Sequence, residues 1–484
     1  MTTPTPPLNA QDRATFALGM PLCALFLDLT INENGYHPLT LVFLTMAGIA
    51  CYAAIIFRPG RRVEEFLRKR AAVLLAAIIV TPLIFVLTQH MKDPAIWLPV
   101  LVLAALGFLQ IGDLGAMRIP LLLILVIGYC AVYALTFVSP QRAKDPKIDV
   151  FTFHQTAAEA LKNGQNPYAT RIPNMYGDST SAKFQNPPRF GPGTGAYGPG
   201  VVDNNGWLTY GFPYPPLSLV MMMPAYLLSG DCRFACLVAT GLTAVLMALA
   251  RPGRWGALMA LLLLVNPKAF DVMDASWTEP LLLFFFSLVM FCACRWRRGL
   301  PWALGFFLAT KQYTVLLLPV LFLLVEGPNP FRQIVKMLAK ASLVIAVVTL
   351  PFFAWNPHEF IRDVVQFQFV QPFRADSLSF MVWIRNHNGG HLPPMWMPFL
   401  ITIPAIVIAI YRCERSPSGF AAAVTIICYT FFAFNKQAFC NYYYFVIGAA
   451  LWSVAAMWPQ SGSPSPTFQE TDGEQGLLPN LCSE

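Results

Sequence analysis

The sequence predicts an all-α protein: a polytopic transmembrane helix bundle with two long external loops that carry short interfacial helices. Three observations predict it. Of the 484 residues, 56% are hydrophobic and 12% charged, with a mean hydropathy of +0.54, whereas soluble domains carry about 25% charged residues. Apolar runs of membrane length recur from Ala14 to Trp458, and about 20 helical residues cross a hydrocarbon core. Within lipid the backbone must satisfy its own hydrogen bonds, which selects helices over strands for these runs.

About fourteen segments result from that length rule. They lie near 14–30, 38–57, 71–88, 95–111, 118–138, 211–230, 233–250, 256–267, 280–295, 300–325, 337–354, 392–411, 418–434 and 441–458. The eighth is short for a span. No fixed-period repeat is visible. The 41 prolines are compatible with this reading, because many sit at segment ends or in long loops. Met1–Asp12 is polar and Pro-rich without a basic stretch, so the first helix is expected to be an uncleaved anchor. The expected organisation is N-terminal helices over 1–117, a transmembrane module over 118–458, and a disordered cytoplasmic tail over 459–484.

The net charge of +8 does not point to nucleic acid, since most basic residues cluster beside apolar segments. The strongest cluster is Arg58, Arg61, Arg62, Arg68, Lys69 and Arg70, which sets the second connection in the cytoplasm. Counting outward, loops 139–210 and 355–391 and the turn Phe434–Gln437 are external, whereas Arg332, Lys336, Lys340, Arg412 and Arg415 are internal. Two groups break the rule: Arg251 with Arg254, and Arg295 with Arg297 and Arg298, fall outside. All six histidines land outside. Most of the eleven cysteines lie in or beside apolar segments and read as small buried hydrophobes. No metal-ligand spacing stands out, so neither a metal nor a cofactor is expected.

Loops longer than about 15 residues are usually functional or disordered. Loop 139–210 opens with Asp149–Lys162, in which Val150, Phe153, Ala157 and Leu161 recur at helical spacing and Gly164 offers a stop. A Gly-, Pro- and aromatic-rich stretch comes next, with Pro187, Pro188, Tyr197 and Trp207. Loop 355–391 mixes aromatics with His358, Arg362, Arg374, Arg385 and His387. Walker, G-x-G-x-x-G, H-E-x-x-H and G-x-S-x-G motifs are missing, which removes most support for ATP-driven transport and zinc proteolysis.

Asp149 has two compatible roles. It can cap the helix it opens, or it can take the proton of an attacking sugar hydroxyl. Arg374, Arg385, His387 and Lys436 lie on the external side by the count and can hold a phosphate. Lys436 has the alternative of a snorkelling lysine. Tyr168, Tyr210, Tyr214 and Trp207 form either an aromatic wall for a sugar or isoprenoid, or interface anchors. Glu279 and Lys311 are charges at or within apolar segments, hence functional candidates or a structural pair. The count sets Glu279 near the cytoplasmic end, away from catalysis.

The run from Asp149 through His154, Ala157, Ala158 and Leu161 to Gly164-Gln-Asn-Pro167-Tyr168 resembles the first external loop of GT-C glycosyltransferases. The nearest relatives are polyprenol-phosphate-mannose-dependent mannosyltransferases and the first mannosyltransferase of GPI-anchor assembly. Further similarity lies in Tyr210-Gly-Phe-Pro-Tyr214-Pro215-Pro216-Leu217, Asn266-Pro267, Trp277-Thr-Glu279-Pro280, Ala309-Thr-Lys311-Gln312, Phe434–Gln437 and Tyr442–Tyr444. It covers residues 120–458. The resemblance implies inverting transfer of a hexose, expected to be mannose, from a polyprenyl-phosphate donor to a glycan- or lipid-type acceptor. Asp149 matches the catalytic Asp, and Tyr168, Tyr210, Tyr214, Lys436 and Gln437 fall within the matching motifs. It favours a bacterial inner membrane, with the ER as alternative. The sequence departs from the family in placing Asp145 four residues before Asp149, in a long Tyr168–Tyr210 separation, and in its extra N-terminal helices. A transporter or lipid flippase is the rival class, but it usually brings internal repeats and midplane charges. A non-catalytic membrane scaffold is a third reading.

Overall fold

The computed structural model describes residues 14–31, 35–90, 117–138, 148–173, 184–185, 207–208, 210–251, 253–266, 268–325, 329–371 and 373–457. Expectations for 95–111, Asp145, Tyr197 and the 459–484 tail lie outside these. The described elements are helical apart from one short strand pairing. In chain order they begin with α1 (Ala14–Ile31), α2 (Pro38–Ile56), α3 (Arg61–His90) and α4 (Arg118–Phe137). The first long loop carries α5 (Asp149–Lys162). Next come α6 (Pro216–Ser229), α7 (Arg233–Leu249), α8 (Arg254–Val265), α9 (Ala269–Asp274), α10 (Glu279–Arg295) and α11 (Leu300–Leu308). A 3-10 helix, Gln312–Leu324, precedes α12 (Pro330–Trp355). The second long loop holds α13 (Pro357–Ile361), a π-turn (Arg362–Gln366), α14 (Phe367–Val370) and α15 (Phe380–His387). The chain closes with α16 (Met397–Arg412), α17 (Pro417–Ala433) and α18 (Cys440–Ala455).

Burial separates a protein-lined core from a lipid-facing rim. Every residue of α17 is buried, and so is every residue of α18 except Tyr442. A helix apolar all round belongs inside a bundle. By contrast, α12 buries only Met337, Ala341 and Val344 and exposes Leu343, Val347 and Leu350, a face that only lipid or a partner covers. By length and hydropathy α1, α2, α4 and α12 can each span a bilayer.

The structure corrects the segment count in two places. Segment 211–230 is not a separate crossing: its helix starts at Pro216 and bends by 115° into α7. Segment 300–325 is not one span either, because it breaks at Lys311 into α11 and the 3-10 limb. Contacts at the two ends of the bundle fix the direction of the helices between these breaks. At one end Arg251 donates to the Cys294 carbonyl (3.2 Å), Arg295 to Leu249 (3.2 Å), Arg297 to Leu324 (3.3 Å) and Arg415 to Val325 (3.1 Å). At the other end Arg233 pairs with Asp274, Glu279 bonds Asn441, and Gln312 bonds the Val364 carbonyl. The two irregularities reverse α7 to α11 relative to the simple count and cancel beyond Lys311. The arginine groups that broke the charge rule therefore gather with Arg415 on one basic end. Glu279 moves to the opposite end, with Lys436.

The opening helix of the first long loop matches the spacing expected of it, and Gly164, at φ 70, stops it. The two long loops are joined where Phe184–Gln185 (β1) pairs antiparallel with Phe373–Arg374 (β2). The second loop is strapped onto the segment before α6 by two side-chain bonds: Gln368 Nε2 donates to the Pro213 carbonyl, and Gly211 N–H to Asp363 Oδ2. Gly211 must be glycine here, since a Cβ would sit 2.6 Å from the Tyr168 carbonyl oxygen.

Candidate functional site

The site lies at the loop end of the bundle and starts from Asp149. Ile148, in extended conformation and without a side-chain cap bond, precedes the helix. Asp149 is the first helical residue instead of the expected cap, and its Oδ1 accepts from Val150 N–H at 2.8 Å. A half-buried carboxylate in the first turn is favoured by the helix dipole. One turn on, buried His154 donates from Nδ1 to the Val150 carbonyl (2.8 Å), leaving Nε2 as acceptor toward Ser218 Oγ (3.4 Å). Its ring stacks on Tyr214 with centroids 5.2 Å apart. Burial above all, with the Lys311 charge adding to it, holds the His154 pKa down to about 3 despite the Val150 bond. The imidazole is a neutral spacer at ordinary pH.

Facing this helix is a buried ion pair. Pro280 in its first turn starts α10 at Glu279, and the break after α11 turns Lys311 back toward it. Lys311 Nζ is 3.0 Å from Glu279 Oε1; Glu279 is wholly buried. Its Oε2 accepts from Asn441 Nδ2 at 2.8 Å, and Tyr313 O–H approaches Oε1 at 3.5 Å. The ammonium lies 4.9 Å from the Tyr214 ring centroid, 5.9 Å from Tyr442 and 6.0 Å from Tyr313. Ammonium over aromatic faces is attractive, more so when desolvated. Asp149 is close enough to act electrostatically on the Tyr442 hydroxyl, as Lys311 is on His154. His154, on the helix that Asp149 opens, stacks on Tyr214, and Tyr214 in turn meets the Lys311 ammonium, so α5 and the ion pair border one aromatic cage. An ammonium has three N–H donors, and Glu279 takes one, so the remainder can serve a ligand oxygen within the cage.

The other expected residues divide into a wall and a strap. Tyr168 is fully buried and donates to the Tyr214 carbonyl at 3.0 Å. Tyr210 is stacked on Phe367 at 3.8 Å. Both stand behind Tyr214, the member of the trio that meets Lys311. Trp207 is partly exposed in a bridge to Pro173. Lys436 Nζ donates to the carbonyls of Gln368 (3.2 Å) and Gln371 (2.7 Å). Arg374 grips both oxygens of Asp376 at 2.8 Å, while its N–H donates to the Lys436 carbonyl. Gln437, half-buried, donates its backbone N–H to Asn435 Oδ1. These residues order the second loop. On α15, Arg385 bonds Asn386, and exposed His387 packs on Trp383.

Two residues carry more of the geometry than sequence reasoning gave them. Glu279 and Lys311 were visible as charges in apolar segments, but the crossing count separated Glu279 from Asp149. Asp363 gave no signal. It is buried, and it holds Gly211 N–H and Arg362 Nε, each at 2.8 Å. Burial lifts its pKa to about 7, against the pull of Arg362 and of the Gly211 bond. Among the described residues no group of three or more His, Cys, Asp or Glu is arranged to hold a metal ion.

No protein-family model matches the chain, and no curated protein matches it. Among solved structures, ArnT from Cupriavidus metallidurans bound to undecaprenyl phosphate is similar at a TM-score of 0.43 and 18% sequence identity. The match covers 68% of this chain and 59% of that one, so the chain spans under two thirds of that neighbour's length.

Proposed function

We propose that the protein is a membrane glycosyltransferase of the GT-C type, moving a hexose from a polyprenyl-phosphate carrier to a glycan- or lipid-type acceptor. The observation that carries this reading is the shared aromatic wall: Tyr214 meets the buried Lys311 ammonium and stacks on His154 of α5, the helix that the Asp149 carboxylate opens. Transfer needs such a pair. The acceptor hydroxyl gives its proton to Asp149 while its oxygen bonds to the sugar's anomeric carbon. The bond from that carbon to the phosphate oxygen breaks on the opposite face, inverting the centre. Negative charge grows on the departing lipid phosphate, and the Lys311 N–H groups stabilise it where water is excluded. Glu279 and Asn441 orient the ammonium. Lys436 orders the loop that closes the site instead of serving as the principal phosphate ligand. Mannose is the sugar that the motifs favour, and the catalytic end faces away from the cytoplasm by the basic-residue rule.

The test uses membranes containing the full chain and a labelled polyprenyl-phosphate hexose. Asp149→Asn preserves size and removes the base, so transfer should fall at least about 100-fold, within the range of general-base contributions. Unchanged transfer would remove Asp149 from the mechanism, and lipid translocation without transfer would replace the reading by a flippase.

A further inference from the structure

Beside the cage, three buried polar atoms lack any hydrogen-bond partner: Asn266 Nδ2, Thr278 Oγ1 and Asn441 Oδ1. Their residues are 1%, 1% and 5% exposed. They sit at the loop-end termini of α8, α10 and α18, and α18 packs against both of the others. Asn441 spends its amide N–H on Glu279, and Asn266 spends its carbonyl on the Lys268 N–H. Asn441 bonds Glu279 and Thr278 directly precedes Glu279, so both adjoin the ion pair, while Lys268, which holds the Asn266 carbonyl, pairs with Asp271 at 2.8 Å. A buried polar group left without a partner is costly, and such groups in a native fold usually await water or a ligand.

We infer that Asn266, Thr278 and Asn441 form a hydroxyl-binding subsite for the sugar of the donor, an inference that rests on the transfer reading above. The three atoms offer one donor, one acceptor and one group that is both. That mixture matches neighbouring hydroxyls of a hexose, each of which donates and accepts. An isoprenoid chain would leave all three unsatisfied. A second phosphate would meet the Asn441 carbonyl and the Glu279 carboxylate, both acceptors, so an anion is disfavoured there. The phosphate belongs on the Lys311 side, and the sugar ring extends toward Thr278.

Binding of polyprenyl-phosphate hexose and of bare polyprenyl phosphate to the full-length protein in detergent tests this without requiring transfer. Thr278→Val keeps the shape and removes the hydroxyl, whereas Thr278→Ser keeps the hydroxyl. Thr278→Val should weaken the hexose donor 5- to 20-fold and leave the bare phosphate unchanged, with Thr278→Ser close to wild type. Deoxyhexose donors tested on the wild-type protein provide the same readout without a variant: removing one ring hydroxyl should cost about tenfold. Equal wild-type affinity for the two lipids would overturn the subsite, as would equal losses for both in Thr278→Val or deoxy donors that bind like the parent. Absent transfer alongside retained hexose preference would sink the catalytic reading and leave the subsite standing.

Discussion

Removing Lys311 and Glu279 singly and together separates a structural ion pair from a phosphate clamp. Lys311→Met leaves the fully buried Glu279 carboxylate with only Asn441 and Tyr313 as partners. Stranding one partner of a buried pair costs about 3–5 kcal/mol, whereas replacing both by neutral residues of similar volume is often neutral or stabilising. The single variants Lys311→Met and Glu279→Gln should therefore unfold at clearly lower temperature in detergent. The double variant should return to within about 1 kcal/mol of wild type. Activity should not return with it. Without the ammonium, charge developing on the lipid phosphate loses the donor proposed for it, and loss of one such donor typically costs about 10²–10³ in turnover. The assay pairs thermal unfolding with transfer from labelled polyprenyl-phosphate hexose on the same preparations. A double variant that regains both stability and wild-type transfer would refute the clamp and reduce the pair to packing.

Two further outcomes are expected. Lys436→Met removes two bonds from a charged donor to the Gln368 and Gln371 carbonyls, worth about 3–6 kcal/mol in all. The donor KM should rise with little change in kcat, and amide exchange over 367–374 should speed up; a pure kcat loss would instead make Lys436 a direct phosphate ligand. Asp363→Asn tests the second loop through pH. The wild-type carboxyl titrates near 7 in the fold and near 3.8 unfolded. The unfolded chain therefore loses this proton first, and wild-type stability falls as pH rises from about 4 to 7. The asparagine variant lacks that loss, so its stability relative to wild type should rise by ~2 kcal/mol between pH 5 and 7. A constant difference across that window would show that Asp363 keeps an ordinary pKa.

The sequence made the helices legible because their signal is local. Apolar runs, Gly164 and the spacing within Asp149–Lys162 each need only neighbouring residues to be read. The crossing count is different in kind, since one broken segment reverses everything after it until a second break restores the order. The break near Gly230 was legible, but no local pattern showed that the segment before it fails to cross, the chain bending by 115° between α6 and α7. Lys311 did carry a signal, a charge inside an apolar run, but one residue cannot say whether a helix passes through it or stops. The basic residues knew the answer. Arg251, Arg254, Arg295, Arg297 and Arg298 contradicted the count, and the structure sides with them. Asp363 was unreadable for another reason: its partner Gly211 lies about 150 residues away, and only the packed loops bring them together.

The same irregularities that defeat the count are what place polar groups at depth. The α8 helix has 12 residues and ends at Asn266, and the α11 limb has nine and gives out before Lys311. Neither is long enough to cross a hydrocarbon core of about 30 Å at 1.5 Å per residue. Such ends cannot face lipid, because backbone freed from a helix at that depth must find partners in protein or line a cavity. Here α18 packs against α8, and α17 against the 3-10 limb that follows Lys311, both of them helices buried on nearly every side. A full-length helix in either place would carry Asn266 and Lys311 past the cage, or strand them in lipid. The shortened limbs stop them level with Glu279, Asn441 and the base of α5. Breaking the spans is therefore how a chain with 12% charged residues concentrates an acid, an ammonium and three unsatisfied polar groups at one end of an apolar bundle.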